Sequence, residues 1–325
     1  MAECTERRQL GNTDIQISPV GLGCWPIAGM TSLNVNDRDS LATLKAGLDA
    51  GVNFLDTAYC YGTDGESERL IAQVIHGQRD KVVVATKGGI HWTEAGERIV
   101  DGSPAMLHRE CDESLQRLKT DRVELLYLHA PDPNIPIAES AGALRELLEA
   151  GKIRSVGISN VTVRQLEEFQ AVCPISAFQP PYNMLQRQIE RDTLPWCQRH
   201  DVSVIVYWPL MKGLLAGRLP RSHRFAEGDG RLKYPMFQGK EWEKNQDFLD
   251  HLRDISKAIG KTVAQIVVNW TIHQLGITAA LCGAKRADQI LETSGAMGWE
   301  LSPRHQHLID DALRDRGLAV TRSAV

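Results

Sequence analysis

Val82-Val83-Val84-Ala85-Thr86-Lys87 is a run of β-branched and small residues that ends in a lysine. Two other runs share its form. Val52-Asn53-Phe54-Leu55 leads into Asp56, with Tyr61 close behind, and Val123-Glu124-Leu125-Leu126-Tyr127-Leu128 leads into His129. Each run is short, aliphatic and followed by helix-like sequence, which is how a parallel strand buried on both faces reads. An acid, a phenol, an amine and an imidazole at successive strand C-termini form one proton-transfer site, provided the strands converge.

The alternation continues outward in both directions. Val20 to Cys24 precedes a polar, helix-like stretch from Asp37 to Ala50, which Gly51 closes as a C-cap. Ile153 to Ile158, Ile175 to Gln179, Val202 to Tyr207 and Ile277 to Cys282 read as four further strands. Helices are expected over 66–75, 104–118, 137–150, 162–171, 189–200 and 287–297. Ser103-Pro104 supplies an N-cap and a first-turn proline. A long polar segment, Gly217 to Lys240, leads to a helix pair over 241–259 and 263–274. Eight strand–helix units in series, unbroken by a linker, predict an α/β chain folded as a (β/α)8 barrel rather than an open sheet. One domain is expected over 1–325. Ahead of the barrel, Arg8 to Ser18 reads as a β-hairpin around Gly11-Asn12, placed to plug the barrel's N-terminal end. Behind it, 302–325 reads as a C-terminal extension, a last helix and a loose end.

Composition narrows the function classes. Of 325 residues, 42% are hydrophobic and 24% charged, ordinary for a globular protein, and the formal charge of −4 predicts neither nucleic acid nor an anionic membrane as partner. No apolar run reaches the ~20 residues of a membrane helix, and the polar stretch Met1 to Leu10 does not read as a secretory signal. The 7 cysteines form no CxxC pair, which predicts reduced thiols in a cytoplasmic protein and no metal site.

The four strand-end residues suggest a reaction. A phenol is too weak an acid to donate readily at neutral pH, but a nearby ammonium stabilises the phenolate and lowers its pKa. Asp56 would hold Lys87 charged, and His129 would orient a carbonyl oxygen. The set suits protonation of a carbonyl while something else delivers a hydride. Hydrolysis fits poorly, because no serine or cysteine nucleophile accompanies it. Taken singly, each residue also has a structural reading: Asp56 as a cap, His129 and Tyr61 as packing, Lys87 as a surface lysine or the Schiff-base lysine of an aldolase.

Asp56-Thr57-Ala58-Tyr59-Cys60-Tyr61-Gly62 resembles the D-T-A-x-x-Y-G signature of the aldo-keto reductases, Thr86-Lys87-Gly88-Gly89 their lysine motif and Leu128-His129 their histidine. Gly21-Leu22-Gly23-Cys24-Trp25, Gly151 to Asn160, Gln179 to Asn183 and Tyr207 to Gly217 resemble further family segments, so the likeness covers about residues 8 to 298. The resemblance implies a (β/α)8 TIM barrel and NAD(P)H-dependent reduction of aldehydes or ketones, or oxidation of the corresponding alcohols or sugars. Tyr61 is then the general acid, tuned by Lys87 and Asp56, with His129 positioning the carbonyl. It also implies cofactor contacts. Ser159, Asn160 and Gln179 fall on the nicotinamide carboxamide, and Tyr207 stacks on the ring. Trp25, Trp208, Pro209, Leu210, Gly213 and Gly217 line its course. Gly283, Lys285, Arg286 and Gln289 take the phosphate end, where a helix start and two cations favour NADPH over NADH; Thr293 lies near the adenine. Trp208 stands where the family usually has serine, and Glu292-Thr293 where a Glu-Asn pair is frequent. Trp25, Tyr59 and Trp92, with Trp208, are expected to wall a substrate pocket under a flap at Gly217 to Lys240. The alternative function is a reductase-like barrel that senses NADPH and regulates a partner.

Overall fold

The computed structural model describes residues 6–29 and 34–320. Cys4 and the end of the tail, 321–325, lie outside the described residues. The chain opens with a hairpin, β1 (Arg8–Gln9) antiparallel to β2 (Gln16–Ile17). Its turn is longer than the two-residue Gly11-Asn12 connection. The strands stop at Gln9 because Gly11 docks on the barrel floor, its N–H donating to Ser203 Oγ at 2.7 Å. A Cβ on Gly11 would lie 2.3 Å from the Ser176 carbonyl oxygen. Leu10, Ile15 and Ile17 are buried there, so the hairpin does plug the bottom.

Strands and helices then alternate: β3 (Val20–Gly23), α1 (Asp37–Asp49), β4 (Phe54–Asp56), α2 (Glu66–Ile75) and β5 (Val83–Gly88). A second hairpin, β6 (Ile90–Trp92) with β7 (Arg98–Val100), precedes α3 (Pro104–Leu118). β8 (Leu125–Leu128), α4 (Ile137–Glu149), β9 (Val156–Ser159), α5 (Val163–Gln170), β10 (Ala177–Gln179), α6 (Thr193–Arg199) and β11 (Ser203–Val206) follow. The chain continues through α7 (Gly239–Ile259), α8 (Val263–Ile272), β12 (Ile277–Gly283), α9 (Ala287–Ser294) and α10 (Pro303–Arg316). β3, β4, β5, β8, β9, β10, β11 and β12 form a closed parallel barrel, completed where β12 pairs with β3. All eight expected strands are present. Val123 and Ile153, expected inside strands, meet only as an isolated bridge before β8 and β9 proper begin. The β6–β7 hairpin was not anticipated, and the 217–240 segment contains short 3-10 turns over Gly230–Lys233 and Pro235–Phe237.

Local chemistry starts the helices. Asn36, Ser103 and Ser302 cap α1, α3 and α10 through their side-chain oxygens, and Thr162 and Thr262 form capping boxes with Gln165 and Gln265. Each such cap stabilises by about 1 kcal/mol. Inside the barrel, alternate residues of each strand form a floor that includes Phe54, Val83, Ala85, Leu125, Tyr127 and Ile205. Burying each large apolar side chain contributes roughly 1.5–3 kcal/mol. The Tyr127 ring fits only because its neighbour is glycine: a Cβ on Gly157 would lie 2.3 Å from the ring. Among the described residues no helix is long and apolar enough to cross a membrane, the six cysteines are free and buried, and no group of three or more potential ligands could hold a metal.

Candidate active site

A strand turns every second side chain to the same face. Continuing the floor's inward positions up each strand leads from Phe54 to Asp56, from Ala85 to Lys87, and from Tyr127 to His129. It leads likewise from Gly157 to Ser159, from Ala177 to Gln179 and from Ile205 to Tyr207. The apolar floor therefore becomes a polar ring at the C-terminal mouth, and residues more than a hundred positions apart meet there.

Lys87 Nζ is the hub. It donates to Asp56 Oδ1 at 2.5 Å, to the Thr57 carbonyl at 2.8 Å and to the Tyr61 hydroxyl at 3.3 Å. Gln179 Nε2 donates to the other Asp56 oxygen at 2.8 Å. Lys87 and Asp56 are 1% and 2% exposed, so the pair is held out of water and kept by these bonds. The Tyr61 ring lies edge-on to Trp25, centroids 4.9 Å apart, and 6.0 Å from the His129 ring. His129 Nδ1 is 3.6 Å from the Cys60 thiol.

Burial sets the direction of each shift. It raises Asp56, opposed by Lys87 and by the Lys87 and Gln179 hydrogen bonds. It pushes the Tyr61 phenol well above its ordinary value, and the Asp56 carboxylate adds to the push. The downward shift expected from Lys87 alone is thus reversed: the ammonium is already neutralised by Asp56, and a phenolate here is poorly solvated. Burial, then the charges of Lys87 and Arg98, drive His129 well below its ordinary value, so its ring is neutral. The Cys60 thiol is pushed up to about 12, chiefly by burial, and stays protonated.

Beside this cluster, Ser159 Oγ donates to the Gln179 carbonyl at 2.7 Å, and Asn160 Nδ2 reaches Ser159 Oγ and the His129 carbonyl at 2.9 and 3.0 Å. Tyr207 donates to Asn160 Oδ1 at 2.8 Å. Asn160 and Trp208, each just past a barrel strand, adopt left-handed φ values of 60° and 61°. Such backbone is costly for non-glycine residues and gathers at functional sites. Trp208 meets Tyr207 and Tyr234 edge-on, with Lys212 Nζ 4.3 Å from its ring centroid, so the 217–240 segment packs onto it. Leu210 opens the turn Met211–Ala216, in which Gly213 has φ 88°; Gly217 closes it at φ 72° and leaves no room for a Cβ against Val263. Pro209 joins Trp208 to this turn.

At the far side, β12 ends at Gly283 and α9 starts at Ala287 without a side-chain cap. Lys285 N–H donates to Gln289 Oε1 at 2.9 Å, and Arg286 pairs with Asp288 at 3.1 Å. Thr293 is buried, its hydroxyl bonded to the Gln289 and Ile290 carbonyls. A set of amides and hydroxyls, a ring beside it, and an uncapped helix start with cations together have the chemistry to fit a nicotinamide dinucleotide.

The expected pocket residues separate. Trp25 touches Tyr61. Trp92 donates its indole N–H to the Cys60 carbonyl at 2.8 Å. Tyr59 turns to α3, its hydroxyl on Glu113 Oε2 at 2.6 Å and its ring under Arg117. Tyr59 and Trp92 border a cavity of about 110 Å³ between the loop after β4, the second hairpin and α3. Sequence reasoning missed the Cys60–His129 contact, the Thr57 carbonyl under Lys87, and Arg98. Cys60 lay inside the quoted motif, but nothing in spacing marks a thiol as a histidine's neighbour.

A family model described as aldo/keto reductase family matches residues 19–314. The chain is 34% identical over 313 residues to "Aldo-keto reductase YhdN" of Bacillus subtilis (strain 168), covering 95% of this chain and 94% of that one. It superposes on the structure of the glycerol dehydrogenase AKR11B4 from Gluconobacter oxydans with a TM-score of 0.91 and 33% identity, covering 100% and 99% of the two chains. The holo form of aldo-keto reductase AKR11C1 from Bacillus halodurans gives a TM-score of 0.78 at 26% identity, covering 98% and 99%.

Proposed function

This chain belongs to the aldo/keto reductase family and is an NAD(P)H-dependent carbonyl oxidoreductase; from that premise we propose that Tyr61 is its proton donor, served by Asp56, Lys87 and His129. The observation that carries the reading is the buried Lys87 ammonium, bridging Asp56 at 2.5 Å and the Tyr61 hydroxyl at 3.3 Å. The nicotinamide, when bound, supplies the hydride. Tyr61 holds its proton at neutral pH and gives it to the carbonyl oxygen as charge develops there. Lys87 steadies the phenolate left behind, and Asp56 with the Thr57 carbonyl keeps the ammonium aimed. His129 is neutral and donates one N–H to the same oxygen. The Cys60 thiol, protonated and 3.6 Å from Nδ1, gives that nitrogen an S–H to accept and leaves the proton on Nε2. In the reverse direction the phenolate takes the alcohol's proton.

Ser159, Asn160 and Gln179 would hold the carboxamide, and Tyr207 and Trp208 the ring face. Pro209, Leu210, Gly213 and Gly217 shape the turn along the cofactor. Gly283, Lys285, Arg286 and Gln289 would receive its phosphates, with NADPH preferred because two cations meet its 2′-phosphate. The substrate is a small aldehyde, ketone or sugar; the glycerol dehydrogenase likeness favours short polyols and their carbonyls. One barrel domain, 1–325, working in the cytoplasm, completes the reading. The experiment is a titration of intrinsic tryptophan fluorescence with NADPH and NADH, followed by turnover of glyceraldehyde. Tight NADPH binding with turnover supports it. Binding without turnover of any carbonyl favours a regulatory sensor, and no binding refutes both.

A further inference from the structure

The hairpin between β5 and α3 has two faces. Its register pairs Ile90 with Val100, His91 with Ile99 and Trp92 with Arg98. Directly opposed residues in an antiparallel pair share a face. Ile90, Trp92 and Val100 pack with Ala58, Cys60 and Tyr61, so this face looks onto the catalytic loop. The other face turns to α3, where His91 Nδ1 meets Glu110 Oε1 at 3.1 Å. Arg98, paired with Trp92, therefore belongs to the catalytic face.

Its surroundings differ from those of the two arginines that border the cavity beside the hairpin. Those two are committed: Arg117 to Glu68 at 3.3 Å and Arg109 to Glu113 at 3.9 Å. Arg98 is exposed and has no ion-pair partner among the described residues, although Glu94 and Glu97 lie in the same hairpin. The strand it pairs with, β6, is anchored by the Trp92 indole on the Cys60 carbonyl at 2.8 Å, one residue before Tyr61. Its charge is felt at His129 and at Cys60, which puts it within electrostatic reach of the reacting carbonyl. A guanidinium on an anchored hairpin, free of carboxylates and open to solvent, is suited to bidentate capture of an anionic oxygen group.

We propose that Arg98 forms an anion subsite at the rim of the catalytic mouth, selecting carbonyl substrates that carry a carboxylate or phosphate group. The proposal rests on the reductase reading of Tyr61 and names a substrate class within it. A neutral polyol carbonyl would then be a poorer substrate than its charged counterpart.

The test uses the full chain, saturated with NADPH, and two matched pairs: succinic semialdehyde against methyl 4-oxobutanoate, and glyceraldehyde 3-phosphate against glyceraldehyde. The expected result is a kcat/KM about tenfold higher for the charged member of at least one pair at low salt. That ratio should shrink between about 20 and about 200 mM salt. Arg98→Gln should bring it to about one, and Arg98→Lys should keep part of it, since a point charge remains while the bidentate fork is lost. The pair that shows the preference identifies carboxylate or phosphate as the recognised group. Equal ratios in wild type and Arg98→Gln, with the neutral aldehydes turned over, overturn the subsite alone. No turnover of any member overturns the reductase reading and the subsite with it.

Discussion

On one side of the barrel mouth, Asp56, Lys87 and Gln179 come from three strands, are 2%, 1% and 3% exposed, and are bonded to one another. On the other side, Arg286 is half exposed and paired with Asp288, two residues along its own helix start. The first group owes its geometry to barrel closure and loses heavily if one member is removed, because a buried charge is then left unpaired. The second owes its geometry to a single turn, is screened by solvent, and exchanges its partner cheaply. In the reading proposed above, charge that would act on chemistry is buried and fixed, and charge that would capture a mobile phosphate is exposed and weakly paired.

That contrast breaks most readily at Tyr61. Tyr61→Phe should cut kcat by about 10²–10⁴-fold while NADPH binding, read by fluorescence, stays near wild type; retained turnover would remove Tyr61 as the acid. Next comes Lys87→Met, which should cost about 10²-fold in kcat. Urea unfolding should also show a loss of about 3–5 kcal/mol, since Asp56 would be buried without its cation. A variant with unchanged stability would mean the pair is not held as the geometry indicates. On the exposed side the effects shrink. Arg286→Ala should raise KM for NADPH about tenfold and leave NADH nearly untouched. Asp288→Asn should lower KM for NADPH by about twofold, because it frees the guanidinium from a surface pair. Equal effects on both cofactors would refute the 2′-phosphate assignment.

The smallest effect on activity and the clearest on pH is expected at Glu110, buried behind the second hairpin. Burial raises its carboxyl from 4.5 to about 8, against the pull of the Gly89 N–H. Between these values the unfolded chain releases the proton that the folded chain keeps, so this group's stabilisation falls as pH rises from about 4.5 to about 8. Glu110→Gln cannot titrate. Its melting temperature should vary less between pH 5 and pH 8 than the wild type's, by a few degrees. Parallel curves would show that Glu110 is already ionised.

Much of this was legible along the chain. The eight runs and their glycine and serine punctuation marked the strands and helices, because burial on both faces and capping are local demands. The inward placement of Asp56, Lys87, His129 and Gln179 followed from where the runs ended. The β6–β7 hairpin did not, since Ile90-His91-Trp92 is too short to separate from a loop by pattern. Nor did the inward turn of Thr293 or the outward turn of Tyr59, which depend on what α9 and α3 offer as partners.

By itself the sequence determined the order of the elements, their phase, and which residue types stand at strand ends, because those are set by neighbours a few positions away. Only the tertiary structure decided that the Tyr61 phenol is held above its ordinary pKa rather than below it. It likewise decided that Cys60 faces His129, and that Arg98 shares the hairpin face turned to the loop that carries Tyr61. Each of those depends on fields and contacts summed over segments that the sequence separates and the closed barrel brings together.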